Sequence, residues 1–141
     1  MTDSVLPPAY RWFIAKGMTN WEPWYFVDQY ELQDASQAYF SDVFKIETRA
    51  DFDVRLFARR QDRDDFAFFV SRNGAIEDRV VTIHLAFCNR FELREPLRYT
   101  NVTQTFLQWI RDTALADVAG WISEEDLFFD QSVTGMTGKS R

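Results

Sequence analysis

A chain of 141 residues, 46% hydrophobic and 17% aromatic, is long enough to bury one core and too short for several. Its formal charge of −6 with no basic stripe argues against direct nucleic-acid binding, because phosphate contacts need clustered Lys or Arg. A single cysteine, Cys88, excludes an internal disulfide and any multi-cysteine metal centre and suits a reducing, cytoplasmic compartment.

From the N-terminus, LPPAYRWFIAKG predicts a short helix: Pro7 or Pro8 fits its first turn, Tyr10, Phe13 and Ile14 form one face, and Gly17 stops it. The opening MTDSVLPPAYRWF carries neither a basic leader nor an apolar run of signal-peptide length, and no later stretch approaches a membrane span. Aromatic residues around Pro23 predict a strand near Trp24 to Asp28. Leu32, Ala35, Tyr39, Phe40 and Val43 then recur at helical spacing.

From Asp53 the period changes. VRLFA and FAFFV read as strands on either side of a charged turn, Arg59 to Asp65, and Asn73-Gly74 is a hairpin signal leading to a third strand, VVTIHLAF. Arg90 to Arg98 is expected as a fourth strand with Pro96 near its end. TQTFLQWIRDTALADVAG carries apolar residues at Phe106, Leu107, Ile110, Ala114 and Val118, with Gly120 expected as its C-terminal cap. SEED at Ser123 to Asp126 has capping-box spacing for a last short helix, and 135–141 reads as a frayed tail after a domain of 1–134. The expected fold class is α+β, a twisted antiparallel sheet with helices from both ends of the chain packed on one face.

Motifs that carry chemistry are few. Asp62, Asp64 and Asp65 offer oxygen ligands for a hard cation, but Arg59, Arg60 and Arg63 cancel the charge and no glycine turns the loop. The knot therefore reads as a paired hairpin turn in which Asp64 or Asp65 bonds backbone N–H groups. His84 and Cys88, four apart on one strand, are separated by roughly 13 Å and form no catalytic pair. They are expected to be structural, like Trp12, Trp109 and Phe106. GMTGKS at the C-terminus lacks the strand and helix of a phosphate-binding loop. No catalytic, cofactor-binding or metal-ligating residue is predicted, and the protein is not expected to be an enzyme.

Residues 28–53 hold seven acids against Lys45 and Arg49, and 111–130 hold six acids against Arg111. Such runs favour basic partners. Glu31, Asp34, Asp51 and Asp53, with Trp21 or Trp24 as aromatic anchors, are the expected contact residues, a place in the core being the other reading of Trp24.

Four segments in order carry a family resemblance. LPPAYRWFIAKG is similar to the LP-x-x-Y-x-x-F-x-x-x-G opening of the SUKH superfamily, which includes yeast regulators of cell-wall glucan synthesis and many bacterial immunity proteins. LFARRQDRDDFAFFV resembles that family's strand-turn-strand signature, VVTIHLAF its next strand and TFLQWIRDTALAD its closing helix. The resemblance implies a non-catalytic α+β domain, encoded beside a secreted polymorphic toxin and binding it in the cytoplasm; a basic, nuclease-like toxin would suit the acidic surface. A regulatory or scaffolding module of the same fold is the alternative it leaves open.

Overall fold

The computed structural model describes residues 5–88 and 93–122. Its centre is one antiparallel sheet of six strands in sequence order: β1 (Asn20–Trp21), β2 (Trp24–Phe26), β3 (Asp53–Arg60), β4 (Asp65–Arg72), β5 (Ala75–His84) and β6 (Asn101–Thr103). Helix α1 (Pro8–Ala15) precedes the sheet and α2 (Asp34–Thr48) lies between β2 and β3. Helix α3 covers 106–121, with one wide π turn at Ile110–Ala114 between α-helical Phe106–Trp109 and Leu115–Trp121. The chain is therefore α+β, as its pattern predicts.

Both sheet faces are buried. On one, Phe57, Ala67, Phe69 and Val80 meet Tyr10 and Phe13 of α1 and Phe106, Trp109 and Ile110 of α3. On the other, Leu56, Phe66, Phe68, Val81 and Ile83 meet Phe40 and Phe44 of α2. The helices from the two chain ends share a face as expected, and α2 adds a third layer. Two-sided burial explains why FAFFV is an unbroken apolar run instead of an alternating one. A bulge between Leu56 and Ala58 leaves Phe57 and Ala58 both on the α1 side, where the Phe57 ring stacks on Phe69 at 4.4 Å.

Local signals account for most boundaries. Pro8 occupies the first turn of α1, and Gly17, at φ 71°, ends it while the Met18 N–H bonds the Phe13 carbonyl. Asn73 and Gly74, at φ 52° and 80°, form the β4–β5 turn. The Glu22–Pro23 peptide between β1 and β2 is cis. Thr105 caps α3 by accepting the Gln108 N–H, and the Asp78 carboxylate accepts that of Phe106.

Several expectations are corrected. The strand beside β5 is Asn101–Thr103; within 93–98 there is none, because Pro96 removes a donor and β-branched Val102 and Thr103 pair better. Strand β5 stops at His84 and does not reach Phe87, whose φ is 55°. Gly120 lies inside α3, which continues to Trp121. Trp12, Ile14 and Tyr39 are exposed, since the buried stripes of α1 and α2 run one residue away from them. The SEED segment and the 135–141 tail lie outside the described residues.

Helix α2 is fastened by polar side chains. Strand β2 ends at Phe26, leaving the outer backbone of β3 without a strand neighbour at Val54 and Leu56. The buried Gln37 amide donates to the Leu56 carbonyl at 3.0 Å and accepts its N–H at 2.8 Å, and the Ser41 hydroxyl accepts the Val54 N–H. One residue from the helix end, Glu47 is 1% exposed, and its carboxylate accepts the N–H groups of Ala86 and Cys88 at 2.7 and 2.9 Å. Glu47→Ala should lower urea-unfolding stability by about 1–3 kcal/mol, because two partly buried N–H groups lose their charged acceptor. Unchanged stability would mean that water replaces the carboxylate.

Tyr10 packs against Phe26, Phe57, Phe69 and Phe106. Burial pushes its phenol up to about 12, with Arg55 opposing. The unfolded phenol ionises near 10, so stability is intact below that value and falls as pH rises toward 12, by roughly 2–3 kcal/mol in all. Thermal melts between pH 10 and 12 should show a shallower decline for Tyr10→Phe than for the parent; equal slopes would show that another group titrates.

Candidate protein-binding surface

The β2–α2 connection is built by its own hydrogen bonds. The Asp28 carboxylate accepts the Glu31 N–H at 3.1 Å and the Asp28 carbonyl that of Leu32, which makes a tight turn. The Tyr30 carbonyl accepts from the Gln33 N–H and the Ser36 hydroxyl, and the Glu31 carbonyl accepts from Gln37. With its backbone so held, the Tyr30 side chain projects outward and is 71% exposed. Tyr39, in the second turn of α2 and 55% exposed, stands edge-on to Phe40.

These residues and Tyr25 of β2 line a cleft of about 570 Å³, together with Asp28, Glu31 and Arg59. Arg59 Nη1 donates to Glu31 Oε2 at 2.7 Å, both side chains being partly buried. The Arg59 guanidinium also lies over the Phe66 ring at 4.9 Å and the Phe40 ring at 5.9 Å. The Tyr25 phenol is raised above its ordinary value by burial, with Glu31 and Asp28 adding and Arg59 opposing. Local charge at the cleft is therefore two carboxylates against one guanidinium.

The expected contact residues divide. Glu31 lines this cleft, and Asp34 opens α2 beside it, exposed. Asp53 begins β3, six residues down the strand from Arg59 and so about 20 Å away; it binds Lys45 and Ser41. Asp51 is exposed in the preceding turn. The acidic stretch thus forms two patches. Trp21 is partly buried against Phe13, its indole N–H on the Met18 carbonyl. Trp24 is removed from the contact set: it is 1% exposed, edge-on to Trp109, with its indole N–H on Asp117 at 2.8 Å.

The charged knot is an ion-paired loop between β3 and β4. Arg60 holds Asp62 through two bonds of 2.8 and 3.0 Å and reaches Asp117 at 3.2 Å. Asp65 takes its bonds from side chains, Arg63 and His84 Nδ1 at 2.7 Å each, where backbone N–H groups were expected; in the Asp64 case the backbone carbonyl accepts from Leu85. His84 is exposed, not a core histidine, because it ends β5 opposite the mostly buried Asp65 carboxylate. Cys88 lies beyond the strand, partly buried. Among the described residues no cluster of three His, Cys, Asp or Glu is placed to hold a metal, and no helix is long and apolar enough to cross a membrane.

No protein-family model, curated protein or solved structure matches this chain.

The cleft tyrosines escape a reading of the sequence for apolar stripes, which places Tyr39 in the core. A signal was there: Tyr39 and Phe40 lie about 100° apart on a helix, and Phe40 shares its face with Phe44. In the knot, the hydrogen bond from Arg60 holds the Asp62 carboxyl below its ordinary value of 3.8. Its stabilising effect is present above that pH and lost as pH falls through the lowered value. Asp62→Asn should flatten the acid limb of a Tm-against-pH curve below about pH 4. An unchanged limb would show that the loop is paired in both folded and unfolded chains.

Proposed function

We propose that this chain is an immunity protein of the SUKH kind, which binds a cognate secreted toxin in the cytoplasm and blocks it by occupying its active surface. In this reading it performs no catalysis and needs no cofactor. The reading is supported by the four segments that resemble that family in order, and by an α+β sheet on which those segments fall as helix, hairpin, strand and helix. The observation that carries it is the cleft beside Asp34: exposed tyrosines, a guanidinium and carboxylates on one surface form the side-chain chemistry of protein interfaces.

A toxin that acts on nucleic acid presents a basic surface, and carboxylates set where phosphates would lie compete for it. Opposite charge raises the association rate, and the aromatic groups slow dissociation once water is expelled. The test is a toxin domain encoded by the adjacent gene. A one-to-one complex by size exclusion is expected, with association falling steeply between low and physiological salt and slowing again in Asp34→Lys, while Asp51→Lys, in the second patch, has a smaller effect. No complex, and no protection of cells that express the toxin, would overturn the reading.

A further inference from the structure

The cleft between β2 and the start of α2 carries a more specific assignment, which rests on the protein-binding reading above. We propose that it receives a lysine or arginine side chain from a basic segment of a protein partner, held between the Tyr30 and Tyr39 rings with its charge on Asp28, beside the Glu31–Arg59 pair. Three phenol rings line the space, from Tyr25, Tyr30 and Tyr39, and the last two are open to solvent at 71% and 55% exposure. Phenol faces attract cations, and arginine also stacks flat on them. An acidic rim with aromatic walls therefore selects a cation over an apolar or acidic group.

The wall of the cleft already shows the same pairing within the chain. Arg59 lies over Phe66 and Phe40 with its charge on Glu31. That pair leaves Asp28 and Asp34 over: among the described residues no ion pair reaches either. Asp28 uses a carboxylate oxygen to accept the Glu31 N–H, which anchors the turn and leaves its charge unneutralised beside Tyr25. A volume of about 570 Å³ suits one long side chain and the backbone that carries it, and is open enough at Tyr30 and Tyr39 for a chain segment to pass.

The probe is a fluorescently labelled hexa-arginine peptide, with hexa-glutamate as control, titrated at low salt into the full chain. Tyr30→Ala with Tyr39→Ala, which leaves net charge unchanged, should weaken hexa-arginine binding about tenfold, while Tyr30→Phe with Tyr39→Phe should stay within about twofold. Asp28→Asn, whose amide oxygen can still accept the Glu31 N–H, should weaken it more than Asp51→Asn, which removes the same charge at the other patch. Melting curves of each variant control for folding, and both tyrosines are exposed enough that truncation should leave Tm unchanged. Equal losses for Asp28→Asn and Asp51→Asn, or no loss for the double alanine variant, would overturn the assignment in favour of diffuse attraction. Hexa-glutamate bound as tightly as hexa-arginine would also overturn it. The two readings fail separately. A toxin bound equally by the parent and the double alanine variant overturns the cleft assignment and leaves immunity in place. Tyrosine-dependent hexa-arginine binding without any toxin complex supports the cleft and removes the immunity reading.

Discussion

The burial of β4 on both faces is the constraint from which the rest of the structure follows. Phe68 and Phe69 are neighbours in sequence, both fully buried, and point to opposite sides of the sheet. A strand with this pattern cannot sit on a two-layer domain with one wet face, because half of its phenylalanines would be in water. It demands a helical layer on each side. The N- and C-terminal helices supply one, and α2 supplies the other. Truncating either phenylalanine to alanine removes a fully enclosed ring, a change that costs about 3–5 kcal/mol in packed cores and is large against the stability of a small domain.

The second layer is held differently from the first. Helices α1 and α3 meet the sheet with aromatic side chains, whereas the buried stripe of α2 alternates Phe40 and Phe44 with Gln37, Ser41 and Glu47. Those polar groups satisfy backbone that the sheet itself leaves open. Gln37 completes the hydrogen bonding of Leu56 as a neighbouring strand would, and its second amide proton holds the Glu31 carbonyl. One side chain thus ties the edge of β3, the helix and the loop that carries Tyr30. The cleft is a by-product of β2 stopping at Phe26, since the space its continuation would fill is bridged by the helix and the turn instead.

How much of this the sequence reveals depends on whether local chemistry or tertiary context decides each element. The Asn73-Gly74 turn, the Gly17 stop and the strand pair around the charged knot are local: positive φ, turn chemistry and apolar runs specify them, and the structure places them as read. The phase of α2 is not local. Counting apolar residues puts Leu32, Ala35, Tyr39, Phe40 and Val43 on its inner face, and the structure rotates that face to Gln37, Phe40, Ser41, Phe44 and Glu47. The open edge of β3 attracts the polar residues inward, and a pattern reading has no knowledge of where a sheet edge will lie. The same reason hid the surface: Tyr39 is exposed because Gln37 and Ser41 are not.

The charge distribution becomes interpretable once this rotation is known. Acids that look continuous along residues 28–53 are sorted by the fold into those spent on structure and those left for solvent. Glu47, itself buried, accepts the N–H groups of Ala86 and Cys88, and Asp53 is tied to Lys45 and Ser41. Among the described residues no ion pair reaches Asp28, in the lining of the aromatic cleft, or Asp34, exposed at the start of α2, and Glu31 shares its charge with Arg59. In the knot, Asp62 and Asp117 pair with Arg60, and Asp65 pairs with Arg63 and bonds His84 Nδ1. An acidic chain of net charge −6 therefore does not offer a uniformly attractive surface. Its negative charge acts where the fold has left carboxylates without a cation of their own, and at the start of α2 this coincides with exposed tyrosine rings. Coulomb attraction at long range and ring contact at short range then operate at the same place, which allows a single small surface to draw a basic partner in and to retain it.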